Sequence, residues 1–408
     1  MCLAFNMHAL GGNEMDTEVE FGEEDGADEV GNLSRQDPDE FLAQNTFRIV
    51  YQTNNFFLPQ IVDMILREEA INLRPEYQRR LRWTDDQKSK LIESLLLNIP
   101  VPPVFFYEAD AARYEVMDGQ QRLNAIRDFF AGDFQLSGLK VLAPLNGLRY
   151  TRCPPRVKRT LDRATISAIV LLLESEAERS AKPGLRKTDI RRLVFDRLNT
   201  GGKQLNAQEI RNALNPGPLN KAIIELSRFN LFTEVFGITP YTEVDEEKFY
   251  ENPNRQKNSL YSSMRDCELV LRFVALRDAS NIKGSMKSML DRAMEFPFTI
   301  AQGQELVADF KDRFRFLYEL FDGKPFKITP STDARNKVSA ALYDASMVAL
   351  DDLWQERFQI SGDRVGVLKR LEDAMANSGD YELIVGRRNT ADSVRRRIAL
   401  LKRILKPE

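Results

Sequence analysis

Apolar positions fall into two regimes along this chain. Up to about residue 215, short alternating runs exchange with helical stripes; beyond it, helical stripes dominate. Phe47, Ile49 and Tyr51 alternate and open the first ordered run, and Leu58 to Glu69 carries a short helical pattern. Thr84 followed by Gln87 is a capping box, a pattern that starts a helix by satisfying its first amides. The stripe Leu91, Ile92, Leu95 and Leu96 follows it, and Pro100, Pro102 and Pro103 stop it. Val104–Tyr107 and Tyr114–Met117 read as strands. A helix is predicted from about Gln120 to Phe130, burying Leu123, Ile126 and Phe130. Ala164–Leu173 reads as a buried strand. Thr188–Leu198 reads as a helix with Ile190, Leu193, Val194 and Leu198 inward. Asn206 and Glu209 cap another helix. Long stripes then run through 261–277, 303–321, 334–353, 364–376 and 390–405.

These patterns predict a mixed α/β (α+β) domain over 46–215 and a mainly α-helical domain over 216–408. The turn Asn215-Pro216-Gly217-Pro218 supplies the boundary. Residues 1–45 read as a disordered acidic tail, because Glu14 to Glu40 holds twelve acids and only Arg35 as a base. The net charge of −3 therefore hides an uneven spread: residues 41–408 carry 57 Lys and Arg against 49 Asp and Glu. The tail serves either as a solvated extension or as a DNA mimic that shields a basic groove.

Composition narrows the chemistry. The single histidine, His8, excludes HNH nucleases, zinc peptidases and Ser-His-Asp hydrolases, each of which needs a positioned imidazole. Cys2, Cys153 and Cys267 are too few and too far apart for a disulfide framework or a zinc site. No apolar run approaches the roughly 20 residues of a membrane span, and the start of the chain lacks a signal-peptide pattern. A cytoplasmic protein without a membrane partner is the expectation.

Four segments carry candidate chemistry. Asp118-Gly119-Gln120-Gln121-Arg122 lies where a strand turns into a helix. A helix N-terminus exposes amides and partial positive charge, so it attracts anions. Arg122 in the first turn opposes the helix dipole, a conflict of a few tenths to about 1 kcal/mol that a phosphate would relieve. Gly119 permits close backbone approach. Asp118 is the candidate metal ligand or water-orienting group, and Gln120 and Gln121 offer donors and acceptors at any pH. The alternative is a plain helix start with an exposed arginine. Leu73 to Trp83 interleaves Arg74, Arg79, Arg80 and Arg82 with Tyr77 and Trp83, types that suit phosphates and bases; an ordinary surface loop anchored by Trp83 remains the other reading. The Asn199-Thr200-Gly201-Gly202 turn could cradle an anion or simply join two helices. Basic density peaks at Arg149, Arg152, Arg156, Lys158, Arg159 and Arg163, and again at Arg387, Arg388, Arg395, Arg396 and Arg397, as phosphate-backbone contacts or as solvated helix faces. Asp266 and Glu268, two apart on a predicted helix, point to different faces and make a poor metal pair for a carboxylate-only nickase.

Taken in order, these segments resemble the DUF262 family, the sensor half of GmrSD- and SspE-type modification-dependent restriction systems. The likeness rests on Tyr77-Gln78-Arg79, Lys90 to Leu95, Ile99 to Pro103, Asp118 to Arg122, Arg197 to Gly202, Gln208 to Ala213 and Met264 to Phe273. It implies a ParB/sulfiredoxin-like core and hydrolysis of a nucleoside triphosphate, its base not specified, with Mg2+. By position it makes Asp118, Gln120, Gln121 and Arg122 the hydrolysis motif. Gln78, Arg79, Gly119, Asn199, Thr200, Gly201 and Gly202 then line the nucleotide. It implies DNA, modified or of phage origin, as partner, with Arg74, Arg80, Arg82, Arg152, Arg156, Lys158 and Arg159 as candidate contacts. Fused family members continue into an HNH-type nuclease. The lack of histidine after His8 predicts that this domain is absent or replaced, which makes a separate nuclease subunit a candidate partner; a homo-oligomer is a further candidate assembly. A non-enzymatic, nucleotide-switched DNA clamp of the ParB type is the alternative.

Overall fold

The computed structural model describes residues 17–21, 50–66, 70–73, 83–110, 112–172, 194, 197–198, 206–215, 217–241, 252–328, 336–386 and 389–406. The chain divides into two compact units, one formed by 31–214 and the other by 1–30 together with 215–408. An α/β arrangement followed by a mainly helical region is what the periodicities predicted.

The first described strand, β1 (Thr17–Glu20), belongs to the helical unit. The strands of the α/β unit are β2 (Val50–Phe57), β3 (Ile71–Asn72), β4 (Val104–Asp110), β5 (Arg113–Asp118) and β6 (Thr165–Leu172). They form one mixed sheet in the order β2-β6-β4-β5-β3. β6 runs antiparallel to β2 and parallel to β4, while β5 runs antiparallel to β4 and parallel to β3. The helices of this unit are α1 (Leu58–Leu66), α2 (Asp85–Leu96), α3 (Gln120–Ala131), α4 (Pro155–Arg163) and α5 (Ala207–Leu214).

Side chains alternate across a strand, and here the alternation sorts them into two cores. Val104, Phe106, Val116, Ile166, Ala168 and Val170 face α1 to α4 and join Leu91, Ile92, Leu123 and Ile126. Phe105, Tyr107, Met117 and Leu171 face the other way and pack with Ala213, Leu214, Val194 and Leu198. The sheet is therefore covered on both faces. The predicted capping box of α2 is present, with Thr84 Oγ1 accepting from the Gln87 amide and Gln87 Oε1 from the Thr84 amide. Asn206 and Glu209 make the reciprocal pair at α5. One inward residue differs from expectation. Phe129 is fully buried, whereas Phe130 is half-buried and stacks on Tyr150 at 4.5 Å. The inward face is centred on the fully buried Ala125, Ile126 and Phe129, so Phe130, although seven residues from Leu123, falls at its rim.

The helical unit is built around the helix Ala340–Asp352. Its helices are α6 (Pro218–Ser227), α7 (Asn230–Val235), α8 (Pro253–Lys257), α9 (Ser259–Ser262), α10 (Arg265–Arg277), α11 (Met286–Glu295), α12 (Ile300–Leu320), α13 (Ala340–Asp352), α14 (Arg357–Gly362), α15 (Arg364–Ala376), α16 (Ser378–Val385) and α17 (Ala391–Leu405). Every residue from Ala340 to Leu350 is buried, as befits a helix that is small or apolar on all sides. Arg272 of α10 reaches Asp344 of α13 with Nε and Nη2 at 2.8 and 2.6 Å from Oδ2, a buried forked pair. Burial pushes the Asp344 carboxyl above its ordinary range, with Arg272 and Arg397 opposing. Burial also draws Arg397 down to about 10, with Asp344 opposing and Arg272 assisting.

The tail expectation needs one correction. Thr17–Glu20 is a strand, paired in parallel with β7 (Asn336–Ser339), so residues 1–45 are not disordered throughout. The Thr-Glu-Val-Glu alternation supplies a β pattern. The half-buried Val19 pairs with the buried Val338, and the Phe21 ring lies 4.7 Å from the Arg265 guanidinium. His8 and the acids from Glu23 to Glu40 lie outside the described residues.

Candidate functional site

The site is built where β5 hands over to α3. Asp118 is the last residue of β5 and Gln120 the first of α3, so the whole reversal falls on Gly119, at φ 94°. That is left-handed backbone, which residues with a Cβ adopt at a cost. Space closes the position as well: a Cβ on Gly119 would lie 2.5 Å from Val104 Cγ1. The backbone at Gly119 therefore rests on β4. No side chain caps α3, and its first turn contains no acid.

Arg122 is 12% exposed on its side chain, against 36% for Asp118. Its Nη2 donates to Asp118 Oδ2 at 2.6 Å and, more weakly, to the Pro103 carbonyl at 3.3 Å. The dipole conflict read from the sequence is thus relieved within the protein, by an i,i+4 carboxylate. The guanidinium still carries an unmet requirement, since among the described residues its buried Nε has no hydrogen-bond partner. A buried donor left unpaired costs about 1–3 kcal/mol, and an anion oxygen at this position would satisfy it. The same place offers the uncapped amide end of α3. These features fit a phosphate. A magnesium ion takes only one or two protein carboxylates when it accompanies phosphates. Asp118, whose Oδ1 has no hydrogen-bond partner among the described residues, is the residue that would hold it. Among those residues no group of three or more His, Cys, Asp or Glu is placed to hold a metal by itself.

The two glutamines act elsewhere. Gln120 is buried, and its Nε2 donates to the Leu73 carbonyl at 2.7 Å. Gln121 Oε1 accepts from the Trp83 amide at 3.1 Å. Consecutive residues of α3 thus hold the described chain on either side of 74–82. Trp83 itself is half-buried against the larger core. Arg74, Gln78, Arg79, Arg80 and Arg82 lie outside the described residues, as do Asn199, Thr200, Gly201 and Gly202. Sequence reading missed Leu73, Pro103 and Val104. None has a side chain that signals chemistry; they matter through carbonyl oxygens and strand register, with Phe105 paired to Asp118.

The first basic cluster is a surface. Arg152, Arg156, Arg159 and Arg163 are exposed, and Lys158 is half-buried over the Tyr150 ring. The second is not a single surface. Arg387 and Arg388 lie outside the described residues, Arg397 is buried, and Arg395 donates to the Ile282 carbonyl. Arg396 stands 3.9 Å from Asp392. Asp266 and Glu268 are buried in α10, Glu268 3.8 Å from Arg272.

The α/β unit is therefore a mixed-sheet domain covered by helices on both faces, with a strand–glycine–helix turn presenting one arginine and one carboxylate. Residues 60–215 match the family described as GmrSD restriction endonuclease, N-terminal domain, and the chain carries a domain of that family. This places it among restriction-related proteins. No curated protein and no solved structure matches the chain. Among the described residues no helix is long and apolar enough to cross a membrane.

Proposed function

We propose that the Asp118–Arg122 turn binds the phosphates of a nucleoside triphosphate and supports its hydrolysis, and that this activity serves a system that senses and restricts foreign or modified DNA. The observation that carries the reading is the buried Nε of Arg122, unpartnered among the described residues, beside an uncapped helix start. In this reading Arg122 holds the phosphate charge that grows as the terminal P–O bond breaks. Gly119 lets the turn reverse in left-handed backbone while resting on Val104. Asp118 orients Arg122 and, through its other oxygen, a water or the Mg2+ that accompanies the nucleotide. When bound, Mg2+ would neutralise phosphate oxygens. Gln120 and Gln121 are positioning residues, and Gln78 and Arg79 complete the pocket on the segment that they flank. A ParB-like relationship, a separate nuclease partner and self-association belong to the same proposal.

A second reading has its own observation. Gln120 and Gln121 are engaged by backbone groups, and Asp118, the one carboxylate of the turn, already gives one oxygen to Arg122. That arrangement favours a nucleotide-switched DNA clamp with little turnover. Phosphate release from ATP, GTP, CTP and UTP with Mg2+, with and without DNA, separates the two. The hydrolytic reading expects turnover with at least one nucleotide and its loss in Arg122→Ala. Binding without turnover supports the clamp, and equal turnover in Arg122→Ala removes the proposed site.

A further inference from the structure

We infer that the exposed arginine stripe of α4 is a docking surface for the phosphate backbone of duplex DNA, an inference that deepens the restriction reading of the same unit. Arg156, Arg159 and Arg163 are spaced three and four residues apart, so they share one face of the helix. Arg152 precedes them by four residues, in the short 3-10 turn Tyr150–Arg152 that leads into α4. The opposite face is anchored by the fully buried Leu161.

The stripe lacks internal compensation. None of the four arginine side chains makes an ion pair or hydrogen bond with the described residues, and the one acid of α4, Asp162, accepts from Tyr150 Oη at 3.2 Å. Like charges at these spacings destabilise a helix. Arg156 also sits in the first turn, where no acid offsets it and the helix dipole opposes a cation. Five other arginines, Arg122, Arg127, Arg272, Arg277 and Arg313, have carboxylate partners. A face of uncompensated guanidiniums awaits a polyanion.

Spacing and composition narrow that polyanion. From Arg156 to Arg163 the helix rises about 10 Å, a length over which one DNA strand presents about three phosphates. Single-strand binders add exposed aromatic platforms for bases. The neighbouring aromatic here, Tyr150, is instead stacked on Phe130 and covered by Lys158. The stripe thus offers charge without stacking, which fits a duplex read by its backbone.

The test is binding of the full chain to a labelled DNA duplex across a salt series without nucleotide. Arms with duplex RNA and with anionic phosphatidylserine vesicles run alongside. The triple variant Arg156→Ala, Arg159→Ala, Arg163→Ala is expected to lose about tenfold or more in affinity. Its log–log salt slope should shrink by about 0.9 for each contact removed. The triple Arg→Lys variant should keep most of the slope, which separates charge from disruption of the helix. An unchanged slope in the alanine variant, absence of duplex binding in the wild-type chain, or stripe-dependent binding to vesicles or RNA in preference to DNA would each overturn the inference. Basal nucleotide turnover should be the same in the alanine variant. Should the wild-type chain show no turnover, the hydrolytic reading falls while the binding result still decides this one.

Discussion

Gly119 and Gln120 shape the turn at the level of single residues, and each makes a distinct prediction. Gly119→Ala must place a Cβ in left-handed backbone, about 1–2 kcal/mol, and displace Val104 from 2.5 Å, about 1–3 kcal/mol of overpacking. A urea titration should show the α/β unit weakened by that sum; an unchanged midpoint would mean that the turn can rearrange. Gln120→Leu removes the donor to the Leu73 carbonyl and should cost about 1–3 kcal/mol as that oxygen loses its partner. It should also raise KM for the nucleotide more than it lowers kcat, because it acts on positioning. A third prediction concerns Cys153, which is buried and whose thiol burial pushes up, with Lys158 opposing. It should resist iodoacetamide at neutral pH until urea exposes it; mass spectrometry showing rapid native alkylation would contradict the packing.

Elements carry the lesson about what a sequence discloses. Thr84-Gln87 and Asn206-Glu209 announced two helix starts because capping is local chemistry, complete within four residues. Thr84→Ala should cost about 1 kcal/mol, measured by urea unfolding. The Asp118–Arg122 motif was equally legible as a strand–turn–helix. Its partners were not, because they depend on register. Pro103 and Val104 reach the turn only once β4 lies antiparallel to β5, and Leu73 only once β3 lies parallel to β5 on its other side. Composition likewise suggested that the acids near the start form one tail. The pairing of Thr17–Glu20 with β7 comes from an edge supplied more than 300 residues later, which no local window contains. The two basic clusters looked alike in sequence. Burial of Arg397 within the helical unit separates them from each other.

At the scale of the whole molecule, the helical unit buries the Arg272–Asp344 pair and Arg397, whereas the α/β unit exposes Arg152, Arg156, Arg159 and Arg163. The Arg272–Asp344 pair spans α10 and α13, and Arg272→Met should destabilise the helical unit by about 3–5 kcal/mol, because it leaves a buried carboxylate unpaired. The pH dependence has a definite sign. With its folded pKa above 3.8, native Asp344 binds its proton more tightly than the unfolded chain does. Its contribution to stability therefore falls as pH rises from 3.8 through the folded value and is level above it. Thermal unfolding of Arg272→Met against pH should show this fall more strongly than wild type, and a variant stabilised by rising pH would contradict it. The central claim remains the phosphate site at the β5–α3 turn, and equilibrium binding of a triphosphate to wild type and to Arg122→Ala, at matched Mg2+, tests it most directly. Saturable binding that Arg122→Ala abolishes is the predicted result. Equal affinity in the two proteins would show that Arg122 is not where the nucleotide is held.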